Sequence, residues 1–286
     1  MNNLEQGFDD NRRSRRWGQR GLGCLIFVII LFIVYYGLYF ILKITQPKPP
    51  QLIAHRGGPV YNPENTMMAF QHAIDIGSDW IEFDVQRTRD NVLVVIHDET
   101  VDRTTDGSGT VSEMTLDQMQ GLDAGNGQQV PTFEQVIALA KENDVGILPE
   151  AKSPHLYPGL AEQMVNTMED QAYNHHAIIQ SFEPDPLYAV AQEYPEQALC
   201  PLYGLWEFDL SSPEPLDVDF VCPMAEMVLL YPWMIRQVHQ DGKEAYVWFG
   251  IIESPLVMRI MLAMGADGLM VDDTVALAGI LGRNAK

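Results

Sequence analysis

Residues 22–42, LGCLIFVIILFIVYYGLYFIL, carry no charged side chain over 21 positions, and nothing else in the chain restricts its folding as much. As a helix rising about 1.5 Å per residue, such a run crosses a hydrocarbon core roughly 30 Å thick. A helix apolar on every side has no polar face for a globular surface. A cleaved secretory signal fits less well. The run exceeds the usual apolar region, and Lys43-Ile44-Thr45-Gln46-Pro47 offers no small-x-small cleavage pattern. The expectation is a retained transmembrane helix over 22–42. Arg12, Arg13, Arg15, Arg16 and Arg20 precede it, and only Lys43 and Lys48 follow closely. That bias predicts a cytoplasmic basic tail (1–21) and a single-pass protein with the remainder on the far side, a bacterial inner membrane facing the periplasm being the expected setting. Residues 43–50, with Pro47, Pro49 and Pro50, read as a short stalk.

The charge divides sharply at this point. Of 18 Lys+Arg and 39 Asp+Glu, 7 and 3 lie in residues 1–50, leaving 11 and 36 in residues 51–286, a difference of −25. A body so acidic repels nucleic acid backbones, which excludes that class of partner. No protein partner is implied. Three cysteines occur, Cys24, Cys200 and Cys222. The last two could pair in an oxidising compartment, although a buried free thiol is equally ordinary. No Cys/His metal spacing is present.

From residue 51 short apolar strands alternate with amphipathic helices, an α/β pattern. Strands are expected at Leu52–Ala54, Trp80–Gln86, Val92–Ile96, Gly146–Pro149, Ala177–Gln180, Ala198–Leu202, Val218–Cys222, Ala245–Phe249 and Gly268–Val271. Helices are expected at Glu64–Ile76, Thr132–Asn143, Gly159–Tyr173, Asp185–Tyr194, Met227–Gln240 and Pro255–Met264. Nine strands are one too many for a closed (β/α)8 barrel. Only five residues separate Gln86 from Val92, too few for a crossover helix, so those two strands form a hairpin. A turn near 89–90 would set residue 97 opposite residue 82. The expectation is a (β/α)8 TIM barrel over 51–286, with residues 98–130 as a small insertion rich in Asp, Thr and Gly. An open doubly wound sheet is the alternative, but no G-x-G-x-x-G follows the first strand.

In such barrels polar groups at strand ends line the active face. Strand one ends in His55-Arg56-Gly57-Gly58. Glu82 and Asp84 share one strand face, with apolar Ile81, Phe83 and Val85 on the other. The hairpin returns His97, and Glu150 and Lys152 end another strand. Buried like charges need compensation, and three oxygen-donor side chains suit one hard divalent cation, Mg2+ or Ca2+, rather than zinc. His55 and His97 then supply acid–base chemistry near neutral pH. Arg56 offers a planar fork and Lys152 a point charge for an anion. Trp248 is expected to wall the pocket. The reaction class that unites these groups is phosphodiester cleavage.

The stretches LIAHRGG, PENTMMAF, GSDWIEFDVQRTRDNVLVVIHDETVDRTTDGSG, VPTFEQV, ILPEAK, IIQSF and GADGLMVDD, in order over 51–273, resemble the glycerophosphodiester phosphodiesterase family. The resemblance implies a TIM barrel in which Glu82, Asp84 and Glu150 ligate the cation. It also implies that His55 and His97 act as the acid/base pair while Arg56 and Lys152 hold the phosphate. It further implies metal-dependent hydrolysis to glycerol 3-phosphate and an alcohol, the neighbouring glycerol hydroxyl attacking first to give a cyclic phosphate. Two departures stand out. Trp248-Phe249-Gly250-Ile251 replaces a Trp-Thr-Val-Asn type run, and no proline follows Asp272. Small glycerophosphodiesters are the expected substrates. Lysophospholipids are the alternative, and an inactive membrane-anchored scaffold is a third reading.

Overall fold

The computed structural model describes residues 26–37, 48–210, 216 and 218–283, in two compact units divided near Ile44. In the first unit a helix, α1 (residues 26–37), occupies the middle of the uncharged run. The two ends of the expected 22–42 helix and the basic tail lie outside the described residues. Among those described, no helix is long and apolar enough to cross a membrane.

The second unit is a closed parallel barrel. Its strands are β1 (Gln51–Ala54), β2 (Trp80–Arg87), β4 (Gly146–Ala151), β5 (Ile178–Ser181), β6 (Ala198–Tyr203), β7 (Phe220–Pro223), β8 (Glu244–Trp248) and β9 (Gly268–Val271). Each pairs with its neighbours in parallel, and β1 joins both β9 and β2 to close the ring. The short β3 (Leu93–Val95) hangs antiparallel from the upper half of β2 and does not enter the ring, as the five-residue link required. The hairpin register differs by one residue from expectation. Val95 faces Val85, which extrapolates His97 to Phe83 rather than Glu82. The turn is centred on Asp90 rather than between 89 and 90: the Thr88 N–H bonds to the Val92 carbonyl (2.9 Å), with Asn91 in the left-handed conformation (φ 66°).

The helices are α2 (Met67–Asp75), α3 (Leu116–Gln120), α4 (Phe133–Asn143), α5 (Leu160–Asp170), α6 (Pro184–Glu193), α7 (Ala225–Leu230), α8 (Met234–Gln240), α9 (Pro255–Met264) and α10 (Thr274–Leu281). The single helix expected over Met227–Gln240 is two, α7 and α8, because Pro232 cannot continue the backbone ladder between them. Nor does α2 begin at Glu64: Thr66 caps it, its hydroxyl accepting from the Ala69 N–H at 3.2 Å, and Glu64 and Asn65 are freed for other work. Residues 98–130 fold over their own small core of Val101, Val111, Met119 and Val130, packed against Val94 and Ile96.

Alternation along each strand divides two apolar layers. Ile81, Phe83 and Val85 point outward and are fully buried beneath the helices, with Phe83 against the rings of Phe70 and Phe133. Inside, Ile53, Leu148, Ile178, Cys200, Cys222, Tyr246 and Met270 fill the lumen. Gly146 is required at the floor, where a Cβ would run into the Trp80 indole. Cys200 and Cys222, on adjacent strands with Cα atoms 6.1 Å apart, form a disulfide.

Candidate active site

Above that filled layer, the ladder from β2 through β4 to β5 sets Asp84 beside Glu150 and Glu150 beside Gln180, one step above Glu82 and Leu148. One oxygen each of Glu82, Asp84 and Glu150 lies within 4.8 Å of the others, and all three residues are buried. Burial pushes the Glu82 carboxyl up to about 7, against the pull of His55, and pushes Glu150 up to about 8, against Lys152. Burial acts on Asp84 as well, but Lys152 and Arg56 outweigh it and hold that carboxyl below its usual range. Two of three carboxylates thus resist ionisation where only oxygen donors converge. A hard divalent cation fits such a donor set, since its charge removes the mutual repulsion.

The other side chains are placed by tight turns. After β1 the chain turns through Arg56 (φ 49°) and Gly57 (φ 81°), and a Cβ on Gly57 would press to 2.7 Å from the Ala69 side chain. This strained turn brings the Arg56 N–H to Glu82 Oε2 (2.9 Å) and the guanidinium beside Glu64 (3.1 Å) and Asp84 (3.4 Å). Lys152 Nζ lies 2.9 Å from Glu150 and 3.6 Å from Asp84. His55 Nδ1 is 2.6 Å from Asp272 Oδ1, leaving Nε2 4.0 Å from Glu82. His97 Nδ1 is likewise 2.6 Å from Asp98 Oδ1, which Arg103 grips while also reaching Glu64. Burial lowers both imidazoles. For His55 the charges of Glu82 and Asp272 overcome it and the net shift is upward, whereas His97 stays below its ordinary value.

These groups surround a cavity of about 400 Å³ lined by His55, Arg56, Glu82, His97, Glu150, Lys152 and Trp248, with Asp84 behind them. All eight residues anticipated from sequence therefore meet at one mouth. Phe182, Leu202, Trp248, Phe249 and Met270 complete the lining, with Lys152 Nζ 5.9 Å from the centre of the Phe182 ring. Trp248 packs edge-on to Phe182 at 5.4 Å and donates its indole N–H to the Tyr203 carbonyl (3.1 Å). The run after Trp248 is shaped by Glu226, whose carboxylate accepts from the N–H groups of Gly250, Ile251 and Ile252.

Sequence reasoning missed the groups that hold this set in place. Asn65 donates to Asp84 Oδ2 (2.8 Å), and Gln180 donates to Glu82 Oε1 (2.8 Å). Asp272, Asp98, Glu64 and Arg103 orient the imidazoles and Arg56. A signal existed for Gln180, a polar residue at an inward position of an otherwise apolar strand, and for Asp98, which follows His97 directly.

Comparison with known proteins agrees with this fold. The model of the glycerophosphoryl diester phosphodiesterase family matches residues 55–276. A glycerophosphodiester phosphodiesterase of Caldanaerobacter subterraneus is 33% identical over 243 residues, covering 80% of this chain and 97% of that one. Among solved structures, a glycerophosphodiester phosphodiesterase from Agrobacterium tumefaciens superposes with TM-score 0.71 at 25% identity, covering 80% of this chain and 99% of that one. An Oleispira antarctica phosphodiesterase, solved with the product sn-glycerol-3-phosphate, gives TM-score 0.70 at 23% identity over 81% of this chain and 96% of that one.

Proposed function

Because this chain belongs to the glycerophosphodiester phosphodiesterase family, we propose that its pocket cleaves glycerophosphodiesters to glycerol 3-phosphate and an alcohol. The observation that carries this reading is the convergence of three buried carboxylates, two carboxylate-held imidazoles, Arg56 and Lys152 on one cavity.

In this reading Glu82, Asp84 and Glu150 hold one divalent cation, Mg2+ or Ca2+. When bound, the cation neutralises the buried carboxylates and withdraws charge from the substrate phosphate. Arg56 and Lys152, fixed by Glu64, Asp84 and Glu150, face the phosphate's non-bridging oxygens. The neighbouring glycerol hydroxyl attacks phosphorus while the bond to the alcohol oxygen breaks, giving a five-membered cyclic phosphate. An attached nucleophile avoids the entropic cost of bringing one in. Asp272 and Asp98 occupy Nδ1 of each histidine, so Nε2 is the nitrogen each presents. One imidazole takes the hydroxyl proton and the other protonates the departing alkoxide. With roles exchanged, the pair then guides water into the cyclic ester.

The test is release of glycerol 3-phosphate from glycerophosphocholine by the full chain in detergent. Release should stop on chelation and resume with Mg2+ or Ca2+. Absence of release with either ion would overturn the reading and favour a binding or scaffold protein.

We propose in addition that residues 22–42 anchor the chain in a bilayer, with the tail cytoplasmic and the barrel outside. Two observations support this. Along α1 the side chains from Ile26 to Val34 are all exposed and apolar, and the Cys200–Cys222 pair suits an oxidising compartment. Protease added outside spheroplasts should remove the barrel and spare the tail. Protection of the barrel would reverse the orientation.

A further inference from the structure

Exposed apolar side chains are not scattered over this barrel. Among the described residues of the barrel unit, twelve large hydrophobic side chains are exposed. Eleven of them lie between the end of a barrel strand and the first turn of the helix after it, on the side of the active cavity, and the twelfth, Leu230, ends the short α7. Tyr61 follows β1, Phe182 follows β5, Leu205, Trp206 and Phe208 follow β6, and Ile251 follows β8. None lies in the connections at the opposite, floor end. Single exposed apolar residues are normal, but eleven of twelve gathered at one end are not a random scatter.

Two of these residues stand out. Trp206 holds a left-handed backbone (φ 70°), costly for a bulky residue, with its side chain in solvent at 70% exposure. Ile251 is 88% exposed at the tip of a loop whose three N–H groups are fixed by Glu226. Separate loops that lift Trp, Phe, Leu and Ile side chains clear of a barrel rim match insertion among lipid headgroups. They do not make the flat, continuous patch of a protein interface. The rim also continues the apolar lining of the cavity, since Phe182 belongs to both and Ile251 adjoins Phe249 and Gly250. The same chain carries the uncharged run of 22–42 and an acidic body of −25, which disfavours anionic lipid.

We propose that the mouth rim docks on a zwitterionic lipid surface, holding the cavity where glycerophosphodiesters leave or protrude from it. The purpose of the docking, though not the docking itself, rests on the phosphodiesterase reading.

Residues 45–286 form their own closed core, and the Agrobacterium relative, matched over 99% of its length, consists of this barrel alone. That unit is therefore the sample, tested by sedimentation with phosphatidylcholine vesicles, with and without phosphatidylglycerol. It should bind phosphatidylcholine and bind less as phosphatidylglycerol is added. A Trp206→Ser, Ile251→Ser double variant should lose about tenfold or more in partitioning, while its turnover of soluble glycerophosphocholine stays at the wild-type level. Failure to sediment, equal sedimentation of the variant, or a dimer that the variant abolishes would each overturn the proposal. Vesicle binding without glycerophosphocholine turnover would leave the docking standing and remove the phosphodiesterase reading instead.

Discussion

The two ends of the barrel are built from the same parts and use them differently. At the mouth His55 pairs with Asp272 at 2.6 Å, and at the floor His239 pairs with Asp267 at 2.7 Å. Both imidazoles are raised above their ordinary value, His55 by Glu82 and Asp272 against burial, His239 mainly by the Asp267 hydrogen bond. At the floor the acid is fully employed in structure, since Asp267 also accepts from the Ala245 N–H at 2.8 Å. Nearby, Asp79 accepts from the Leu52 N–H and pairs with Arg283. At the mouth, His55 keeps a nitrogen toward the cavity, 4.0 Å from Glu82, whose carboxyl burial raises. A histidine–carboxylate pair is therefore not by itself a site. What separates the two ends is a cavity on which three buried carboxylates, Arg56 and Lys152 converge beside the imidazole.

The two ends should differ most at the carboxylates of the mouth. Glu150→Gln should lower turnover of glycerophosphocholine by roughly a thousandfold, because a ligand and its charge are lost together. Its melting temperature should hold or rise, since one of three crowded carboxylates is gone. A substantial fall in melting temperature with activity kept would mean that Glu150 is structural.

A smaller effect is expected where an acid only orients. Asp272→Asn should reduce kcat by about a hundredfold and leave KM nearly unchanged, as the His55 ring loses its fixed tautomer. At the floor, Asp267→Asn should leave kcat intact and cost about 1–2 kcal/mol in urea unfolding, through weakened bonds to Ala245 and His239. If the two substitutions behave alike, the division between the ends fails.

The residues of the mouth were legible because strand alternation is strict. Glu82 and Asp84 between apolar Ile81, Phe83 and Val85 point inward by period alone, and all nine strands show the same apolar punctuation. Partners across the fold were not legible. Asp272 lies 217 residues from His55, and no local pattern links them. Asn65, inside Pro63-Glu64-Asn65-Thr66, resembles an ordinary helix start, yet its positive φ of 56° turns its amide to Asp84. Helix α10, TVALAGIL, escaped because an almost wholly apolar octamer has no periodic face. The hairpin register turned on a single residue, which no propensity fixes.

The smallest expected effect is one of pH at the floor. A histidine raised in the folded state stabilises fully below its unfolded value near 6.5 and loses that contribution as pH rises through the higher folded value. The urea midpoint of the wild type should therefore exceed that of His239→Gln at mildly acid pH. The gap should narrow in alkaline buffer, and a gap that widens would reverse the sign assigned to the pair.

The central claim is that Glu82, Asp84 and Glu150 share one divalent ion at the mouth. Calorimetric titration of the metal-stripped full chain with Mg2+, and separately with Ca2+, tests it most directly. One ion should bind per chain in the wild type, and none with comparable affinity in Glu82→Gln or Glu150→Gln. Unchanged binding in both variants would contradict the claim and move the ion, and the chemistry built around it, elsewhere.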